Sequence, residues 1–178
     1  MDPSKVLQKA YLADVDDGTN LQFMYIPQEI QEQKSVNWNP TSIIGRSESL
    51  IGYGSSENST LTMELQFIVS KIDGDTSSKS DFALYDEMMN KIRWLRSFAY
   101  PDYGTSTAMA FTKPPHKAYL CVGKLIKSFV LIQSVDVTYR GPWNADLLPT
   151  IVVVSMPMTI INPTALGIYQ IRAGLDRY

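Results

Sequence analysis

The sequence is poor in the two side chains on which most enzyme active sites and metal centres depend. It contains one histidine, His116, and one cysteine, Cys121. A zinc site needs three or four ligands at short spacing, and a single cysteine excludes an internal disulfide bond. His116 follows two prolines, and the chain has no Gly-x-Ser-x-Gly elbow that this histidine could serve. We therefore expect no catalytic residue, no metal, no cofactor and no enzyme activity.

Charged residues are also scarce. They make up 19% of the chain, with a net charge of −2, against about 25% in an average soluble domain. This balance predicts no specific binding to nucleic acid and no attraction to a membrane surface. A low share of charge is typical of a protein whose surface is covered by partners. With no apolar run of about 18 residues and no signal-peptide core after Met1, we expect assembly in a cytoplasm.

Two short motifs partly match ligand-binding loops. The run Asp14-Val15-Asp16-Asp17-Gly18 resembles the start of a calcium loop, but the twelfth position is Tyr25 where a bidentate carboxylate is required. We interpret this run as the solvated tip of a hairpin. Gly52-Tyr53-Gly54 lacks the lysine of a phosphate-binding loop. We interpret the whole run Ile51-Gly52-Tyr53-Gly54-Ser55-Ser56 as a flexible loop or a bend before the strand at 60–69.

Period-two alternation of apolar and polar residues predicts several half-buried antiparallel strands. Each strand would place its apolar members on one face of the sheet. The three alternating sets are Leu21, Phe23 and Tyr25; Leu61, Met63, Leu65, Phe67 and Val69; and Phe129, Leu131, Val135, Val137 and Tyr139.

Two stretches are apolar on both faces, at residues 118–126 and 150–161. A strand of this kind is covered twice, either by a second layer of its own domain or by a neighbouring subunit. We expect the second stretch to mark contact with other copies.

Apolar residues recur at spacings of three and four between Asp81 and Ala99, which predicts one helix that Pro101 ends. The fold class is therefore mainly β (α+β): an antiparallel β-barrel or sandwich with one flanking helix. We assign residues 1–162 to this domain and residues 163–178 to a C-terminal arm or short docking helix.

The order of several segments resembles a known family. It is similar to the tube-like domain of LysM-bearing hub adaptors in contractile injection systems, and to the tube-initiator proteins of contractile phage tails. The resemblance spans about residues 19–162 and follows these segments: Tyr25-Ile26-Pro27-Gln28-Glu29-Ile30, Ile43-Ile44-Gly45-Arg46-Ser47, Thr60-Leu61-Thr62-Met63-Glu64-Leu65-Gln66-Phe67, Lys113-Pro114-Pro115, and Val135-Asp136-Val137-Thr138-Tyr139-Arg140-Gly141-Pro142.

The resemblance implies a tail-tube-like domain that forms a ring, usually of six copies, in the baseplate of a virion. Such a ring joins the tail tube and the spike or hub to the surrounding baseplate wedge proteins. Residues 163–178 leave no room for a LysM module, so we expect that whatever such a module anchors is handled otherwise, with the arm at 163–178 as the candidate.

Our main hypothesis is a structural tail protein that works through apolar contacts. The candidate contact residues are Phe129, Trp143, Ile151, Val153, Ile168 and Ile171. The alternative is a soluble binding module for carbohydrate or single-stranded nucleic acid, because basic and aromatic residues alternate along one segment. That segment contains Lys113, Lys117, Lys124 and Lys127 with Phe111, Tyr119 and Phe129.

Overall fold

A computed structural model describes residues 10–69, 81–103, 113–144, 146–162 and 167–173. It contains ten strands and two helices within these ranges. In chain order they are β1 (Tyr11–Asp14), β2 (Asn20–Gln22), β3 (Ile30–Gln33), β4 (Val36–Thr41), β5 (Leu50–Ser56), β6 (Thr60–Ile68), α1 (Asp81–Ser97), β7 (Ala118–Val122), β8 (Ile126–Ile132), β9 (Asp136–Trp143), β10 (Pro149–Ile161) and α2 (Ile168–Arg172).

Eight strands form one antiparallel sheet in the order β2-β1-β7-β8-β10-β6-β3, with β9 paired to β10 beside β8. The long strand β10 lies at its centre. Strand β6 pairs along one edge of β10, while β9 and β8 share the other edge. The mainly β, antiparallel fold with one main helix is thus confirmed, and the sheet is not closed into a barrel.

One hydrophobic core joins the inner face of the sheet to α1. The helix contributes Met88, Ile92 and Leu95, and Phe98 lies directly after it; all four are buried. Their spacing of three and four places them on one stripe of the helix, as predicted. The inner face of the sheet contributes Leu12, Leu61, Met63, Leu65, Phe67, Leu120, Val130, Val152, Val154, Met156 and Met158.

Two hydrogen bonds fix α1 across the sheet. The indole Nε1 of Trp94 donates to the hydroxyl of Thr19 over 3.0 Å, and the guanidinium of Arg96 donates to the Tyr139 hydroxyl over 3.1 Å. Because Thr19 precedes β2 and Tyr139 lies in β9, the helix is tied to two distant parts of the sheet.

The structure corrects our expectation for β10. Both edges of this strand are paired within the chain, so neither is open to a neighbouring subunit. Its inner face is fully covered by the core, and on its outer face Val153 is only 8% exposed. The run of apolar residues therefore reflects a central strand of the chain's own sheet, and it does not by itself require a second copy.

The predicted strand around Phe129–Tyr139 was wrong in two respects. The segment is divided into β8 and β9. In β8, Val130 is fully buried, whereas Phe129 and Leu131 are 43% and 40% exposed. Val130 faces inward because it lies between Ala118 of β7 and Ile160 of β10, which are also buried.

The run Gly141-Pro142-Trp143-Asn144 predicts a turn between two strands, but the structure places the turn later. Gly141 to Trp143 belong to β9, and the chain reverses after Asn144. The Asn144 side-chain oxygen accepts the backbone N–H groups of Asp146 and Leu148, at 3.0 and 2.8 Å. An asparagine side chain that accepts a hydrogen bond from the backbone N–H two residues later commonly starts a turn.

Neither described helix is long and apolar enough to span a membrane. No residue of the short helix α2 is buried.

Candidate interaction surfaces

Strands β4 and β5 form a two-stranded sheet of their own, separate from the main sheet. Every residue of both strands is exposed. The sequence interpretation of residues 51–56 as a loop or a bend was wrong, because it did not recognise the pairing of these residues with β4. We call β4, β5 and their connection the β4–β5 hairpin.

The two faces of this hairpin differ in polarity. Residues directly opposite each other in an antiparallel pair share a face. Trp38 lies opposite Tyr53, and Pro40 lies opposite Ile51, so these four side chains form one apolar face. The indole and phenol rings meet edge to face, with centroids 5.9 Å apart. The other face is largely polar and includes Asn37, Asn39, Gly52 and Ser55.

A bulge at Gly54 sets this arrangement. Asn37 pairs with Ser55 and Trp38 with Tyr53, which leaves Gly54 as the extra residue. A Cβ atom at Gly54 would lie 2.9 Å from both the Asn37 carbonyl oxygen and the Asn39 side-chain nitrogen. Glycine is therefore required where the strands approach each other.

The apolar face of the hairpin is open to solvent in the part of the chain that the structure describes. Trp38, Ile51 and Tyr53 are 58%, 68% and 63% exposed, and Ile44 in the connection is fully exposed. An isolated two-stranded hairpin is only marginally stable in water. A ribbon with one apolar face and no core beneath it has the pattern of a docking element.

A second apolar surface lies on the outer face of the main sheet. Tyr119, Phe129 and Ile161 form a row across three strands, and Leu131 lies two residues beyond Phe129. The rings of Tyr119 and Phe129 meet at 63°, with centroids 5.2 Å apart. We call these four residues the outer patch. It faces away from α1, because the neighbouring positions Val130 and Ile160 point into the core.

The six predicted contact residues lie in three regions: the outer patch, the opposite end of β10, and helix α2. Phe129 belongs to the outer patch, at one end of β10. Ile151 and Val153 lie toward the other end, about 33 and 26 Å away at roughly 3.3 Å per residue. Trp143 pairs with Pro149 at that same end. Ile151 is partly covered and Val153 is buried. The other four are well exposed: Phe129, Trp143, Ile168 and Ile171.

A groove of about 650 Å³ crosses the outer face of β6, β10 and β9. Residues 24–31 form one wall, with Tyr25 and Ile26 partly exposed there. Glu64 and Arg140 bring opposite charges to its lining, and Val153 is also part of it.

A polar cluster surrounds the only histidine. His116 Nδ1 lies 2.8 Å from the Asp14 carboxylate and 3.9 Å from that of Asp17, while Nε2 lies 3.8 Å from Asp102. Asp14 is only 5% exposed, and its other oxygen accepts the backbone N–H groups of Asp16 and Asp17. The Asp14 carboxylate and the His116 imidazole are thus hydrogen-bonded to each other, with the geometry of an ion pair.

This environment raises the pKa of His116 above its ordinary value. The hydrogen bond to Asp14 is the largest cause, burial opposes it, and the negative charges of Asp14, Asp17 and Asp16 add to it. The interpretation of Asp14–Gly18 as a solvated tip is right for Asp17, whose side chain is 61% exposed, and wrong for Asp14. Sequence alone gives no signal for this pair, because its members are 102 residues apart.

The basic and aromatic segment does not form a purely positive surface. Lys113 lies 3.7 Å from Asp102, and the backbone N–H of Lys117 donates to the Asp16 carboxylate. Phe111 lies outside the described residues. The aromatic residues Tyr119 and Phe129 pack against each other edge to face, which leaves less ring face for bases to stack on.

Taken together, these features define, within the described residues, a β domain with one main sheet, one main helix and two separate apolar surfaces, the β4–β5 hairpin and the outer patch. No protein-family model matches the sequence, and no curated protein shows significant similarity to it.

Proposed function

We propose that this chain is a structural subunit of a contractile tail, in the baseplate hub or tube, that works by packing against other copies and against neighbouring tail proteins. The observation that carries the proposal is the exposed apolar face of the β4–β5 hairpin, formed by Trp38, Pro40, Ile51 and Tyr53. The tail itself is suggested by the resemblance in the order of segments across residues 19–162.

The size of this face is large enough to contribute substantially to an interface. An aromatic side chain buries about 150–250 Å² in full, and Trp38, Ile51 and Tyr53 are each more than half exposed. Covering the three would remove roughly 300 Å² of apolar surface from water, worth about 7 kcal/mol before the costs of association are subtracted. Burial of this kind at the centre of an interface is typical of binding hot spots.

The hairpin and the outer patch are different surfaces of one chain. A contact between two different surfaces is heterologous, and such contacts close into rings or continue as fibres. The edge of β9 that faces away from β10 pairs with no other described strand, so it could also accept a strand from a neighbour. Ring formation of the kind found in tail tubes needs surfaces of this type.

The proposal is tested by removing the apolar face and following assembly. The double variant Trp38→Ser/Tyr53→Ser should weaken incorporation into sedimenting particles about thirtyfold or more when it is co-produced with the other tail components. The matched control is Tyr100→Ser, because Tyr100 is 68% exposed but lies outside the hairpin. Circular dichroism and thermal unfolding should show that both variants keep the main fold.

Two results would count against the proposal in different ways. Equal incorporation of both variants would exclude the hairpin as the contact. Absence of the wild-type chain from purified tails, in cross-linking mass spectrometry of intact particles, would exclude the tail as its place of action.

A further inference from the structure

His116 lies where three segments of the chain meet. Asp14 and Asp17 belong to the end of β1 and the turn after it, Asp102 follows α1, and His116 is part of the connector that leads into β7. The imidazole therefore bridges three segments that are far apart in the sequence.

Backbone contacts run alongside this side-chain bridge. The N–H of Val15 donates to the Lys117 carbonyl over 3.0 Å, and Asp102 and Lys113 exchange two backbone hydrogen bonds of 3.2 and 2.9 Å. The connector at 113–117 is thus held to the β1–β2 turn on one side and to residue 102 on the other. His116 lies between these two attachments.

Among the described residues, the charged groups near His116 are mostly negative. Asp14, Asp16 and Asp17 face it from the turn, and Asp102 faces it from the end of α1. The nearby cations on its own segment are Lys113 and Lys117, of which Lys113 lies 3.7 Å from Asp102. A positive imidazolium relieves repulsion among four carboxylates, whereas a neutral imidazole leaves it in place.

We propose that His116 is a proton-operated latch that fastens the 113–117 connector to the β1–β2 turn when it is charged and loosens it when it is neutral. In the charged state Nδ1 donates to the nearly buried Asp14 in a charge-assisted hydrogen bond, and Nε2 is attracted by Asp102. In the neutral state Nδ1–H can still donate to Asp14, but the attraction to Asp17 and Asp102 is lost. Charge-assisted hydrogen bonds are roughly twice as strong as neutral ones.

The sign of the effect follows from the raised pKa of His116. A group whose pKa is higher in the folded state adds stability below its ordinary value of about 6.5. That stability is lost as the pH rises through the folded pKa. The latch therefore opens toward alkaline pH, and the inference holds for the isolated chain whether or not the proposed tail function is correct.

The experiment combines two measurements on the isolated protein in buffer that contains EDTA. Because the chain has one histidine, its imidazole resonances in NMR report His116 alone. The midpoint should lie above 6.5. Hydrogen exchange at the amides of Val15 and Lys117, expressed as protection relative to the unstructured peptide rate, should fall about fivefold between pH 5.5 and pH 8.5.

Three variants make the interpretation specific. His116→Gln should abolish the pH dependence of protection at Val15 and Lys117. Asp17→Asn, at an exposed site 3.9 Å from the ring, should lower the midpoint without unfolding the chain. Asp146→Asn removes an exposed carboxylate outside the cluster and should leave the midpoint unchanged. A midpoint at or below 6.5, an unchanged midpoint in Asp17→Asn, or the same fall in protection in His116→Gln would each overturn the latch.

Discussion

Gly54 offers the most direct separation of the hairpin from the rest of the fold. In Gly54→Ala the new Cβ atom would lie 2.9 Å from the Asn37 carbonyl oxygen, a distance that ordinary carbon contacts do not reach. The two strands would have to move apart, at a cost of about 1–3 kcal/mol by analogy with overpacked sites. A lone two-stranded hairpin is marginal at best, so this cost exceeds the stability available to it.

The matched control is Gly52→Ala, in the same strand and on the same hairpin. There the nearest atom to a new Cβ would be the Asn39 carbonyl oxygen at 3.8 Å, which is an ordinary contact. The main sheet should be untouched in both variants, because β4 and β5 pair only with each other among the described strands. The free energy of unfolding of the whole chain should therefore change by no more than about 0.5 kcal/mol.

Hydrogen exchange resolved by residue distinguishes the two variants. In Gly54→Ala the amides of β4 and β5 should lose protection while those of β6 and β10 keep theirs, and incorporation into particles should fall with the hairpin. Gly52→Ala should behave like the wild type in both assays. Equal protection of the hairpin in the two variants would refute the reasoning that a tight bulge holds these strands in register.

Three further predictions follow from burial and charge. Phe67→Ala should cost about 3–5 kcal/mol in denaturant unfolding, because Phe67 is 1% exposed, whereas Phe82→Ala at a 64% exposed site should cost less than about 0.5 kcal/mol; similar losses would show that Phe67 is not part of the core. The wild type should lose stability relative to His116→Gln as the pH rises from about 6 to 9, because the pKa of His116 is raised, and a gain over this range would contradict the assigned sign. The thiol of Cys121 is buried, so its alkylation in native buffer should be much slower than in denaturant; equal rates would show that the thiol is accessible.

Local patterns in the sequence were sufficient for several elements. The Asp16-Asp17-Gly18 turn was predicted because Gly18 can adopt the left-handed conformation, and its φ is +71°. Strand β6 and helix α1 were predicted because their apolar residues follow periods of two and of three to four. In each case the signal lies within about 20 consecutive residues.

Features that depend on distant pairing were not predicted. The face of β8 that is buried was assigned incorrectly, because inward orientation is set by Ala118 and Ile160 on neighbouring strands. The β4–β5 hairpin was missed because Pro40, Gly52 and Gly54 interrupt the strand pattern. Its amphipathic character appears only when Trp38 is placed opposite Tyr53. Whether the sheet would close into a barrel likewise depends on the pairing of its two outermost strands, β2 and β3.

The length of β10 gives the chain a mechanical property. Its 13 residues extend over about 43 Å, and β6, β8 and β9 pair with it along this length. A pull on β10 relative to a paired neighbour would have to shear many hydrogen bonds at once, whereas peeling a short edge strand breaks them one after another. Single-molecule stretching between the start of β10 at Pro149 and the start of β6 at Thr60, which lie at opposite ends of their shared ladder, should therefore meet high resistance before rupture.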